Sequence, residues 1–180
     1  MIDKKYKELY QQMAEEGHFG GGPRLLEWRI ARKLFRKMQC STLLDYGCGA
    51  GKQWHPEKVA EWGKLKPTLY DPAFAEHSKL PKQQFDMIMS TDVLEHIPDY
   101  TLPSVVRYCT SHVKKTQYHF IANRPAMKEL PNGENAHCSQ QPLEWWVDLF
   151  ETHSVVKVPT ILHLFSHKNN RKIVKLWFKS

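Results

Sequence analysis

Asp45-Tyr46-Gly47-Cys48-Gly49-Ala50-Gly51 follows two leucines, Leu43 and Leu44. Glycines at alternate positions let a backbone approach a bound group where a Cβ would intrude. Spacing separates the ligands that such loops hold. A triphosphate loop needs G-x-x-x-x-G-K followed by Ser or Thr. Here Gly51-Lys52 would require the first glycine at Tyr46, and Gln53 replaces the metal-binding hydroxyl. A dinucleotide loop needs G-x-G-x-x-G. Counting from Gly47 puts its third glycine at Lys52, so that pattern fails as well.

What remains is D-x-G-x-G-x-G, with an acid, Asp71, twenty residues after Gly51. The stretch "FDMIMSTDVLEHIPD", from Phe85 to Asp99, follows in order. The glycine pattern resembles the opening motif of class I S-adenosylmethionine (SAM)-dependent methyltransferases. The Phe85 to Asp99 stretch is similar to their fourth-strand motif. The resemblance covers residues 43–123 well. It implies SAM as methyl donor, with Asp45, Tyr46, Gly47, Cys48, Gly49, Gly51, Asp71, Pro72, Ser90, Thr91 and Asp92 around it. Asp45 would hold the loop and the amino-acid ammonium. Asp71 would accept from both ribose hydroxyls, two charge-assisted bonds that fix orientation. Backbone carbonyls near Ser90 and Thr91 would face the ammonium. One departure stands out. Only thirteen residues separate Asp71 from Phe85, too few for the helix and third strand usual there. That strand is expected to be vestigial or absent, which leaves only Glu76 and His77 as guesses for the adenine.

Methyl transfer is an in-line displacement, so the protein supplies alignment and, for a neutral nucleophile, a proton acceptor. Those groups belong at the carboxyl edge of the sheet. Asp92, His96 and His137 are the expected catalytic residues. On a helix, Asp92, Glu95 and His96 would share one face. With His137 they would make a divalent-metal set. Metal-dependent relatives in the resembled family carry E-x-x-E-H after this strand; this sequence has D-x-x-E-H. A metal is disfavoured, because the same E-H pair also occurs without one. Other readings are a helix-end contact with the glycine loop for Glu95 and packing beside the cofactor for His96.

These groups need elements to position them. Asp3 to Glu16 reads as an amphipathic helix with Tyr6, Leu9, Tyr10 and Met13 on one side, and Arg24 to Met38 as a second. "GHFGGGP" breaks between them, with His18 and Phe19 placed to touch substrate. Strands are expected over residues 43–46, 67–71, 85–91 and 117–123. Helices are expected over 56–63, from "DVLEHI", over 103–113 and over 142–153. Residues 124–141 form a long connection whose polar head is Asn132, Glu134, Asn135 and His137; such loops often bind ligands. The tail reads as two strands turning at 168–170. The pattern predicts a doubly wound, mostly parallel α/β sheet with helices on both faces and a C-terminal antiparallel edge hairpin. It is expected to be a single domain, residues 1–180, with N-terminal helices over 1–40 and the SAM-binding core over 41–180.

The 180 residues carry 41% hydrophobic side chains, enough for an ordinary core. The longest apolar runs are far short of a membrane span, and the N-terminus lacks a signal-peptide core. Cys40, Cys48, Cys109 and Cys138 contain no C-x-x-C pair and read as reduced thiols of a cytoplasmic protein. The net charge of +7 is uneven. Residues 1–40 hold nine Lys/Arg against five acids, and 153–180 hold six against none; between them fourteen acids exceed eleven bases. Basic ends would suit a polyanion. The expected activity is methyl transfer to a small-molecule acceptor. The alternatives are an RNA or other polyanion acceptor, with or without a metal, and a non-catalytic SAM-binding subunit. Aminopropyl transfer would want more acids around a diamine pocket than the sequence offers.

Overall fold

The structure is a computed structural model that describes residues 3–17, 25–63, 65–166 and 170–178. In chain order the elements are α1 (Lys4–Glu15), α2 (Leu25–Lys37), β1 (Leu43–Tyr46), α3 (Pro56–Glu61), β2 (Thr68–Tyr70), β3 (Phe85–Thr91), α4 (Leu102–His112), β4 (Val113–Ile121), α5 (Leu143–His153), β5 (Thr160–Phe165) and β6 (Arg171–Leu176). Single 3-10 turns stand at Lys52–Trp54, Ala75–His77 and Leu94–His96. The strands form one sheet in the order β2-β1-β3-β4-β5-β6. The pairs from β2 to β5 are parallel, and β6 returns antiparallel at the edge. This is the expected doubly wound α/β sheet with an antiparallel C-terminal hairpin. His18 and Phe19, and most of the 168–170 turn, lie outside the described residues.

Alternation along the strands assigns each side chain to a face. Leu44, Tyr46, Ile88, Leu162 and Leu164 pack with Val105, Val106 and Cys109 of α4 and Trp146, Leu149 and Phe150 of α5. Leu43, Met87, Met89, Tyr118, Phe120, Ile161 and Phe165 face Trp28, Ala31, Leu34 and Phe35 of α2 together with Trp54 and Trp62. Central strands covered on both sides explain why Met87-Ile88-Met89 in the middle of β3 is a continuous apolar run and not an alternating one. The three tryptophans on the α2 side touch one another, with ring centroids 4.6 Å (Trp28–Trp54), 5.3 Å (Trp28–Trp62) and 5.4 Å (Trp54–Trp62) apart. Each such ring, once fully buried, contributes on the order of 2–3 kcal/mol.

A third, smaller cluster joins Tyr10 and Met13 of α1 to Leu130 and Ala136 of the long connection. Asp3 caps α1, its carboxylate accepting from Lys5 N–H at 2.8 Å. The connection itself is folded. Leu130 N–H donates to Glu134 O, Gly133 turns with φ 82°, and Asn135 Oδ1 accepts from Ala126 N–H while its Nδ2 donates to Ala126 O.

Two sequence expectations are decided by these elements. No strand forms between Asp71 and Phe85; residues 72–84 hold only the Ala75–His77 turn, so β2 is the sheet edge. The helix expected to start at "DVLEHI" is absent. Asp92 has φ 56°, only Leu94–His96 makes a turn, and Ile97 is extended before Pro98. A proline disfavours helical geometry in the residue before it, so no helix forms there, while the separate helix expected over 103–113 is present as α4. Asp92, Glu95 and His96 therefore do not form a stripe on a helix.

Candidate active site

Beyond the carboxyl ends of β1–β4 lies a cavity of about 370 Å³. The glycine loop forms its floor. Gly47 has φ 80°, and a Cβ there would collide with both methyls of Val93. Gly51 has φ 69°, and a Cβ there would stand 2.8 Å from Leu69 Cδ1. Only glycine meets both demands at these positions. Asp71, just past β2, clamps the loop: one carboxylate oxygen accepts from Gly49 N–H at 2.8 Å and the other from Ala73 N–H at 2.9 Å. Burial raises its pKa, and the two backbone donors oppose that rise.

Asp45 supports the loop from beneath. It shares the face of Leu43, so its carboxylate meets the tryptophan side of the sheet. Its Oδ2 accepts from Trp54 Nε1 at 2.6 Å and Gln53 Nε2 at 2.9 Å. Burial pushes its pKa up to about 6 against those donors. Ser90 falls on the opposite face and its hydroxyl meets His119 Nδ1 at 2.8 Å.

The far wall comes from β3, β4, the long connection and α1. His96 and His137 meet edge to face, with centroids 4.6 Å apart. A carbonyl can only accept, so each Nδ1 carries a proton: His96 donates to Ala136 O at 2.8 Å and His137 to Arg124 O at 2.5 Å. The neutral rings then keep their lone pairs on Nε2. Burial, helped by the neighbouring His137, brings the His96 pKa down to about 3. Burial also lowers that of His137; backbone contacts with Arg124 and Ala122 oppose the shift and the Arg124 charge adds to it. Tyr10 ties α1 to this wall, its hydroxyl lying 2.8 Å from both His96 O and Ala136 O. Tyr6 and Lys5 reach the same connection through Glu134, at 2.8 and 3.1 Å.

Glu95 is fully buried behind the cavity. One oxygen accepts from Ala122 N–H at 2.6 Å, and Asp92 lies against the carboxyl. Burial and the Asp92 charge lift Glu95 well above the usual carboxylate range, and its backbone contact with Ala122 opposes the rise. Potential ligand atoms of Glu95, His96 and His137 lie within 4.8 Å of one another. Glu95 stands outside the cavity lining; one of its oxygens is committed to Ala122 N–H and the other is buried without a hydrogen-bond partner among the described residues, so the trio does not open onto the cavity as a set.

Residues 6–174 match the family described as a methyltransferase domain. The chain belongs to that family. No curated protein matches it. In this methyltransferase domain the cavity brings together Tyr46, Gly47, Cys48, Gly49, Asp71, Pro72, Thr91, Asp92, His96 and His137. Asp45, Gly51 and Ser90 are not on its lining. The alternation of β1 and β3 turns Asp45 and Ser90 toward opposite faces of the sheet, and Gly51 sits where the loop passes into the Lys52–Trp54 turn. Glu95 contacts Ala122 and Asp92, with no hydrogen bond to the glycine loop among the described residues. Lining residues outside the motifs include Lys7, Tyr10 and Met13 of α1, Phe74 and Arg124. The apolar stripe of α1 contains Tyr10 and Met13, but nothing local says what that stripe covers. No helix among the described residues is long and apolar enough to cross a membrane.

Proposed function

We propose that this domain transfers a methyl group from SAM to a small-molecule acceptor. One observation carries the reading: the loop of positive-φ glycines and its Asp71 clamp open onto the same cavity as the paired neutral imidazoles of His96 and His137. Bound SAM supplies an electrophilic methyl and takes back the electron pair of the broken carbon–sulfur bond. The chain supplies the rest. Tyr46, Gly47, Cys48, Gly49, Pro72, Thr91 and Asp92 line the cofactor's place, and Asp71 offers its remaining lone pairs to the ribose. Asp45 serves indirectly, by fixing Gln53 and Trp54 under the loop. His137 accepts the proton that an attacking hydroxyl or amine releases, with its tautomer set by Arg124 O and its place by His96.

A small acceptor is favoured because α1 and the folded 124–141 connection wall the cavity on the side opposite the glycine loop. The domain then works as one unit, with the N-terminal helices supplying wall and support and residues 41–180 the sheet and its edge. The four free thiols, two of them buried, suit a reducing compartment, and we place the protein in the cytoplasm. Calorimetry with SAM and S-adenosylhomocysteine (SAH) tests the cofactor. Saturable one-site binding is expected, and no heat at millimolar ligand would end the reading. Turnover is expected to survive a chelator; activity lost to chelation and restored by a divalent ion would instead install a metal at the imidazoles.

A further inference from the structure

The acids of the cavity lie apart from three of its four cations; the fourth, Lys52, lines the glycine-loop side. The two acids, Asp71 and Asp92, belong to the glycine-loop half, and both are engaged by protein groups: Asp71 by two backbone N–H donors, Asp92 by Glu95. The other half is lined by Lys7, Arg124 and Lys128, by two neutral imidazoles and by the apolar side chains of Met13, Ile97 and Met127. It contains no carboxylate. Among the described residues neither Lys7 nor Arg124 forms an ion pair, although Lys5 on the same helix pairs with Glu134. Arg124 Nε is buried and lacks a hydrogen-bond acceptor. Its guanidinium carbon lies 5.7 Å from the Phe165 ring centroid, and of its donors only Nη1 makes a hydrogen bond among the described residues, a long one of 3.4 Å to Pro125 O. Half-buried cations kept apart from protein carboxylates have an incomplete partner set. A planar guanidinium with a point-charge ammonium suits a carboxylate or phosphate oxygen pair.

We propose that the methyl acceptor is an anionic small molecule whose carboxylate or phosphate is held by Arg124 and Lys7, with its body against Met13, Ile97 and Met127 and its nucleophilic atom beside His137. The proposal rests on the cofactor reading above for its orientation. The anionic group is an anchor and does not receive the methyl. The nucleophilic hydroxyl or amine forms the new bond to the methyl carbon, and its proton leaves to the imidazole.

The test separates the two readings. SAH binding is measured first, by calorimetry. The SAH complex is then titrated with inorganic phosphate or acetate against chloride at fixed ionic strength, and thermal stabilisation is recorded. A saturable effect of phosphate or acetate is expected, with at least tenfold weaker anion affinity in Arg124→Gln and in Lys7→Met and unchanged SAH affinity in both. Lys7→Met changes a helix-surface side chain and guards against a folding defect in Arg124→Gln. The response to phosphate against acetate tells which anion the anchor prefers. Absence of a saturable anion effect, or an effect of equal strength in both variants, overturns the proposal. Failure of SAH to bind while the anion still does removes the cofactor reading and leaves the anion site standing. Hydroxyl or amine compounds offered with SAM as free acids and as neutral amides complete the test. Release of SAH only with the acids is expected, and equal turnover of the amides overturns the proposal.

Discussion

The two halves of the cavity are built differently. The glycine-loop half is fixed by backbone geometry: positive φ at Gly47, Gly49 and Gly51, and one carboxylate that holds the backbone N–H groups of Gly49 and Ala73. The opposite half is fixed by contacts between residues far apart in sequence. Tyr10 meets His96 and Ala136, and His137 meets Arg124. Backbone conformation decides one half and tertiary packing the other. A substitution in the first should strain the chain itself; in the second it should shift side chains and leave the loop intact.

The sharpest way to separate the halves is His137→Gln. It removes the proton acceptor, so turnover should fall about 10²–10⁴-fold. SAH affinity measured by calorimetry should not move. Because burial lowers the imidazole's pKa below its ordinary value, the base is neutral throughout neutral pH. The rate should stay level as pH falls to about 6.5 and drop only below it. A break at pH 7 or above would mean that another group takes the proton. Asp71→Asn strikes the other half. It should weaken SAH by about 1.5–3 kcal/mol for a lost charged hydrogen bond, visible by calorimetry. Equal affinity would release Asp71 from the ribose.

Gly47→Ala breaks the glycine-loop half without touching a polar group. With φ 80° and Val93 in the way, it should cost about 1–3 kcal/mol in denaturant unfolding. A stable variant with normal SAH affinity would show that the loop tolerates another path. Tyr10→Phe should give the smallest effect, about 1 kcal/mol of stability from its two carbonyl contacts. It should raise the Michaelis constant for the acceptor and spare SAH. An equal change in both affinities would mean that the halves are coupled through α1.

The same division explains what the sequence discloses. β1 and β3 are legible to the residue, since their apolar cores, Leu43-Leu44 and Met87-Ile88-Met89, lie in stretches ended by a glycine loop and by Asp92. The short gap before Phe85 announces the missing strand. The helix missing at "DVLEHI" is a local effect of Pro98 that the periodicity of that stretch hides, while α4 stands within a residue of its expected place. Asp45 shows a subtler limit. Its place in the motif suggests the ligand, but strand parity turns it toward Trp54, and parity becomes decisive only when both faces of the sheet are known to be covered. Lys7, Tyr10 and Arg124 carry no mark of their roles, because each reaches the cavity only through packing of distant segments. The pairing of His96 with His137 likewise depends on how the 124–141 connection folds back.

The sheet's two outer strands have a consequence for the behaviour of concentrated protein. β2 is only three residues long, leaving too few unpaired amides to template a neighbour. β6 is longer but carries Lys172 and Lys175 exposed along it, so a second copy arriving edge to edge would bring like charges together. Brevity at one rim and repulsion at the other guard against strand-by-strand aggregation, and neither device draws on the residues around the cavity.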